Sequence, residues 1–195
     1  MIRIKLCIVA LMVSISGSAL ADEADVVRQR FKDYWRVHSL GQFYAAAEYI
    51  SPADLRQSKN EFLPIFLDAA QSTDRNVREQ ADIYFGDIPT QRRLVISDKE
   101  SFIGLNRVGF APTPQLLEKL SLSVITVGDV KFSSASQATI FYSVKFLNGS
   151  QSSGAAKFTK VDGLWYHRLN GLSTSAMKTR NALFPPNQTP KEKPH

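Results

Sequence analysis

The sequence predicts an α+β fold in which N-terminal helices pack on a curved antiparallel C-terminal sheet. Two observations carry this prediction. From Asp22 to about Leu120 the apolar residues recur at helical spacing, and from Ser123 onward the chain becomes rich in Val, Ile and Thr. The second is a pair of turn dipeptides, Asn148-Gly149 and Asp162-Gly163, which divide the last third into successive hairpins of a meander.

The first segment belongs to export rather than to the fold. Arg3 and Lys5 precede a nearly unbroken apolar run from Leu6 to Ile15, Ser16-Gly17-Ser18 break it, and Ala19-Leu20-Ala21 supplies a small-x-small cleavage pattern. A spanning helix needs roughly 20 apolar residues, and this run is about half that. Residues 1–21 are therefore expected to be a signal peptide, 22–184 a single α+β domain and the proline-rich 185–195 a disordered tail. The expected location is the periplasm of a Gram-negative bacterium, or the cell exterior otherwise. Cys7, the one cysteine, sits too early for a lipid-anchor motif and leaves with the signal. The delivered chain then has no disulfide, thiolate metal site or cysteine nucleophile.

Helix by helix, Val27, Phe31, Tyr34, Trp35 and His38 form one stripe of a first helix over Asp22–His38. Phe43, Ala46, Ala47 and Ile50 mark a short second one. Ser51-Pro52 starts a third, with Pro64 expected to break or kink it and Asn60 a candidate restart. Thr73–Phe85 reads as helical, and Leu94-Val95-Ile96 as a short strand. Ser97-Asp98-Lys99-Glu100 is a capping box opening a helix through Phe102 and Leu105. Thr113-Pro114 opens another.

The turns imply a register. Across Asp162-Gly163, Val161 should pair with Leu164 and Phe158 with His167. Across Asn148-Gly149, taken as a two-residue turn, Leu147 should pair with Ser150 and Thr139 with Phe158. One face then carries Phe141, Ala156, Phe158, Trp165, His167 and Leu169 and is expected to meet the helices. Ile140, Tyr142, Lys157, Thr159, Tyr166 and Arg168 would lie opposite.

Charge narrows the partners. Lys and Arg total 24 and Asp and Glu 18. Without the signal's Arg3 and Lys5 the balance is 22 to 18, or +4. The basic residues are scattered, which argues against nucleic-acid binding. Weak attraction to an anionic membrane surface or envelope polymer remains compatible with it.

Phe31-x-x-Tyr34-Trp35, then Leu40-Gly41-Gln42-Phe43 and the small-residue run Ala45-Ala46-Ala47-Glu48-Tyr49-Ile50-Ser51, with Asp162-Gly163-Leu164-Trp165-Tyr166 near the end, resemble nuclear-transport-factor-2-like (cystatin-like cone) domains. The match covers about the first and last 50 residues of the domain. The resemblance implies a sheet curled around a helix layer with a pocket at its wide mouth. The superfamily spans isomerases, dehydratases, ligand binders, transport adaptors and assembly domains, so fold does not choose function.

No phosphate loop, dinucleotide fingerprint, Gly-x-Ser-x-Gly or His-x-x-x-His is present. No cofactor and no metal site is expected. His38 reads as a helix-end residue and His195 as inert. His167 reads as a core histidine with a pocket role as the sharper alternative. Asp33, Tyr34, Asp82, Tyr84 and Asp87 could serve acid–base chemistry if the fold gathers them. Lys157 and Arg168 read as a solvated strand face that could hold an anion. The expected pocket residues are Tyr34, Phe141, Phe158, Trp165 and His167. Three functions follow: an exported, non-catalytic domain binding an apolar small molecule or envelope protein; a cofactor-free isomerase- or hydrolase-type enzyme using His167; or an assembly module that homodimerises.

Overall fold

The computed structural model describes residues 2–111 and 113–185, with side chains from Ala21 onward except that of Pro114. Residues 186–195 of the expected tail, and the side chains of most of the expected signal, lie outside the described residues. Seven α-helices and four strands are present among them: α1 Ile2–Ser39, α2 Phe43–Ala47, α3 Pro52–Ala70, α4 Arg75–Phe85, α5 Asp98–Phe110, α6 Pro114–Ser121, β1 Val124–Ser134, β2 Gln137–Lys145, β3 Gln151–Val161, β4 Leu164–His167 and α7 Leu172–Leu183. This is the α+β order expected. The strands form one antiparallel meander, β1-β2-β3-β4.

Helix α1 differs from expectation at its start: its backbone runs through Ser16-Gly17-Ser18 without a break. No helix among the described residues is long and apolar enough to cross a membrane. From Glu23 on, α1 is fastened to the sheet. Glu23 accepts hydrogen bonds from Lys160 Nζ at 2.5 Å and from Trp165 Nε1. Arg30 donates to the Trp165 carbonyl at 3.0 Å and lies over the Tyr49 ring at 4.3 Å. Between these anchors Val27, Phe31 and Tyr34 are buried against Ala138, Ile140, Ala156, Phe158 and Trp165, forming the first core.

The middle of the chain builds a second core, of Phe62, Ile65, Phe66, Ala81, Tyr84, Phe85, Ile96 and Ala176. Helix α3 passes straight through Pro64. Pro64 points to solvent while Phe62, Leu63, Ile65 and Phe66 are buried around it. Packing on both sides of the proline therefore outweighs one lost backbone bond. Leu94-Val95 is no strand: Thr90–Val95 is a 3-10 turn that leaves both residues 71% exposed, and only Ile96 enters the core. The capping box forms as read, with Ser97 Oγ accepting from Glu100 N and Glu100 accepting from Ser97 N at 2.6 Å. Gly104 lets α5 approach α4 closely, since a Cβ there would fall 2.5 Å from the Tyr84 carbonyl oxygen. Helix α7, which the sequence did not announce, covers this core through Ala176, Leu172 and Leu183.

The Asp162-Gly163 turn is as expected: both residues have positive φ, 50° and 82°, and Val161–Leu164 and Phe158–His167 pair across it. The Asn148-Gly149 turn is not. Only Gly149 has positive φ, 81°. Gly149 N donates to the Phe146 carbonyl and Phe146 N to the Ser150 carbonyl, both at 2.9 Å, so the loop holds three residues, not two. Asn148 Oδ1 accepts from Ser150 N and locks that form. The register moves by one: Ala138, not Thr139, faces Phe158, and Thr139 faces Lys157. A one-residue slip exchanges faces. Ile140 and Tyr142 thus turn toward the core, and Phe141 turns outward, 40% exposed.

Candidate functional site

His167 ends β4, and its backbone is held on both sides. Its N–H donates to the Tyr49 carbonyl at 2.8 Å, and its own carbonyl accepts from Ser51 N at 3.0 Å. This parallel bridge also covers the outer edge of β4. The next two residues are clamped by Asp54, in the first turn of α3. Asp54 Oδ2 accepts from Arg168 Nε at 2.7 Å and from Leu169 N at 2.8 Å, with the Asp54 side chain only 2% exposed.

So positioned, the His167 ring sits among aromatics. Its centroid lies 4.7 Å from Tyr34, 5.5 Å from Phe158 and 6.3 Å from Phe31. His38 flanks the other side of this group, 5.2 Å from Tyr34. All of these but Phe158 border a cavity of about 290 Å³, lined also by Trp35, Tyr142 and Asn170. Helix α1 supplies Phe31, Tyr34, Trp35 and His38 as a single stripe, and the sheet supplies Tyr142 and His167. Gly154, paired with Tyr142, leaves room for the phenol, because a Cβ there would lie 2.6 Å from its hydroxyl oxygen.

Both histidines are biased to the neutral form. Burial first, then the neighbouring His38, lowers the His167 pKa to about 4 against the opposing pull of Asp54. Burial also lowers His38, partly offset by Asn106. Asn106 Nδ2 donates to the Phe102 carbonyl, so its Oδ1 accepts from His38 Nε2 at 2.8 Å. His167 Nδ1 is enclosed with no hydrogen-bond partner. A buried orphan N–H is less tolerable than a buried bare lone pair. The proton therefore belongs on Nε2, and His167 is a neutral donor. Burial, reinforced by Tyr142, raises Tyr34, which stays a protonated phenol.

Of the five expected pocket residues, Tyr34 and His167 line this cavity. Phe158 backs His167 from within the core. Trp165 lies farther along β4, 2% exposed, against Phe132 and Glu23. Phe141 is on the opposite face of the sheet. The two-residue turn puts Tyr142 on the wrong face; His38 is in the last turn of α1, as expected, and its place on the α1 stripe also brings it to the cavity. Asp82 and Asp87 are exposed and belong to the second core's side of the molecule. Two larger hollows exist. One of about 510 Å³ lies between α6 and the β2–β3 loop, and one of about 430 Å³ between α3 and Ser97–Lys99. Neither is lined by a histidine, whereas the smaller cavity brings His38, His167, Tyr34 and Tyr142 together, so it is the better candidate site. Among the described residues no group of three or more His, Cys, Asp or Glu is placed to hold a metal ion.

No family model matches the chain, and no curated protein does. Among solved structures, one described as that of a candidate NTF2-like transpeptidase from Campylobacter jejuni aligns at 14% identity and a TM-score of 0.35, covering 75% of this chain and 96% of that one.

Proposed function

We propose that this is an exported, non-catalytic domain whose cavity binds a small amphipathic molecule: one planar apolar ring with an oxygen-bearing head. The observation that carries the reading is His167, a neutral N–H donor at the wall of an aromatic cavity with no carboxylate orienting it. Phe31, Tyr34, Trp35 and Tyr142 offer ring faces, and His167 and the phenols offer hydrogen bonds to an oxygen. At about 290 Å³ the space is at the small end of ligand pockets, about 300–1,000 Å³, and suits one ring with a short substituent. The Arg168 guanidinium, 38% exposed and using Nε on Asp54, keeps its terminal nitrogens for an acidic head.

The enzyme reading has less support. A histidine acting as general base is normally oriented by a third group. Here the nearby carboxylate, Asp54, is committed to Arg168 and Leu169 N. Export is carried by the sequence pattern at residues 1–21 and by the sheet anchors, which begin at Glu23, just past the expected cleavage point.

Calorimetric titration with benzoate tests the binding reading. Saturable 1:1 binding, weakened about tenfold or more in His167→Gln, is expected, since a lost hydrogen bond to a charged head is worth about 1.5–3 kcal/mol. Binding that His167→Gln leaves untouched would refute the site. Absence of heat with benzoate, phenol and benzamide alike would refute the ligand class.

A further inference from the structure

The outward face of the sheet carries a second surface, independent of the cavity. Most of its positions in β1, β2 and β3 are exposed. The row Lys131–Thr139–Lys157 crosses β1, β2 and β3 in register. Strands lie about 4.8 Å apart, which sets the two lysines about 10 Å from each other at the backbone. Phe141 follows on the same face of β2, 40% exposed, with Lys131 Nζ 5.3 Å from its ring centre. Its cross-strand neighbour is Ala155, too small to cover it. Next comes a row of hydroxyls, Thr126, Ser143 and Ser153, and then Lys145, about 20 Å along β2 from Thr139. None of the three lysines is in an ion pair among the described residues, and the acidic strand position beside them is in β1, two residues before Lys131. Asp129, at the β1 bulge on the sheet edge, is the nearest acid along the chain. Arg168, grouped with Lys157 on sequence grounds, turns instead to Asp54.

We propose that this face docks an acidic polysaccharide, with Phe141 stacked on the apolar face of one sugar ring, the lysines on carboxylates and the hydroxyl row on sugar hydroxyls. Charge decides between occupants. A second copy of the chain laid face to face would bring six lysines together with only the two Asp129 carboxylates to meet them. A nucleic-acid strand carries a charge about every 3.4 Å, far denser than three lysines spread over about 20 Å. A glycan with one carboxylate per sugar or per disaccharide matches that sparse spacing, and its hydroxyls match the Ser and Thr row.

Affinity electrophoresis of the full chain through gels containing polygalacturonate, neutral dextran or no polymer tests this, with oligothymidylate measured in parallel. Retardation is expected in polygalacturonate alone and should weaken with salt. The double variant Lys131→Gln/Lys157→Gln and the single variant Phe141→Ser should each weaken it about tenfold. Only the lysine pair should flatten the salt dependence. Lys178→Gln, on exposed α7, should leave retardation unchanged. All these side chains are exposed, so unchanged melting curves will verify folding. Retardation unaffected by either face variant, tighter binding to oligothymidylate, or a dimer in sedimentation that the face variants dissociate would each overturn the proposal.

Discussion

Acid should destabilise this protein well before its carboxylates titrate, and His167 sets the size of the effect. In the fold its pKa is about 4, against 6.5 for the free side chain. Between those values the unfolded chain binds a proton that the folded chain refuses, so stability rises with pH through this window and is flat above it. Lowering the pH from 8 to 5 should cost about 2 kcal/mol from this residue alone. That is about 4–8 °C in Tm for a chain of this size. His38, also lowered by burial, acts in the same direction. Glu23 and Glu100, whose pKa values are lowered by Lys160 and Ser97 respectively, add their loss only below 4.5. The window from pH 6.5 to 5 therefore isolates the histidines. Thermal melts of the wild type and of His167→Gln across pH 5–8 measure the slope rather than the absolute stability, which the substitution also changes. The variant should lose roughly 2 kcal/mol of the pH dependence. A variant that keeps the full wild-type slope would refute the assignment, as would a His167 NMR titration with a midpoint near 6.5.

Three further outcomes concern the scaffold that positions the site. Asp54→Asn removes the charged acceptor for Arg168 and Leu169 N and should cost about 3 kcal/mol in urea unfolding; a loss under 1 kcal/mol would show that the clamp contributes little. Gly104→Ala forces a methyl group against the Tyr84 backbone and should cost about 2 kcal/mol, where an ordinary helix glycine would gain up to 1. A stabilised variant would refute the close approach of α4 and α5. Ser97→Ala breaks the capping box and should lower stability by about 1 kcal/mol without altering benzoate affinity, because α5 reaches the cavity's His38 from Asn106 and Phe110, at the end away from Ser97.

Local signals with one dominant cause were legible in the sequence. The α1 stripe, the Ser97 box and the Asp162-Gly163 hairpin each depend on a few adjacent residues, and each forms as read. Features settled by competition between local and distant forces were not. Pro64 should end a helix, but Phe62, Leu63, Ile65 and Phe66 hold α3 together across it. Asn148-Gly149 offers a two-residue turn, yet the Asn148 side chain closes a three-residue loop, and that single residue exchanged Phe141 with Tyr142. The same slip hid the Tyr142 part of the cavity wall and, on the other side, the isolated Phe141 among lysines. Helix α7 has little periodicity of its own and owes its place to the second core it covers. The Asp54 clamp, joining residues more than 100 positions apart, has no local signal at all.

Ligand binding at this cavity requires a neutral His167 presenting an Nε2–H donor to the aromatic wall. Nitrogen-15 correlation spectra of the histidine rings at pH 7, recorded with and without benzoate, measure this directly. The predicted result is a neutral ring protonated at Nε2, with both ring nitrogens of His167 shifting in saturable fashion as benzoate is added. A cationic ring, a proton on Nδ1, or a His167 signal that benzoate does not move would contradict it.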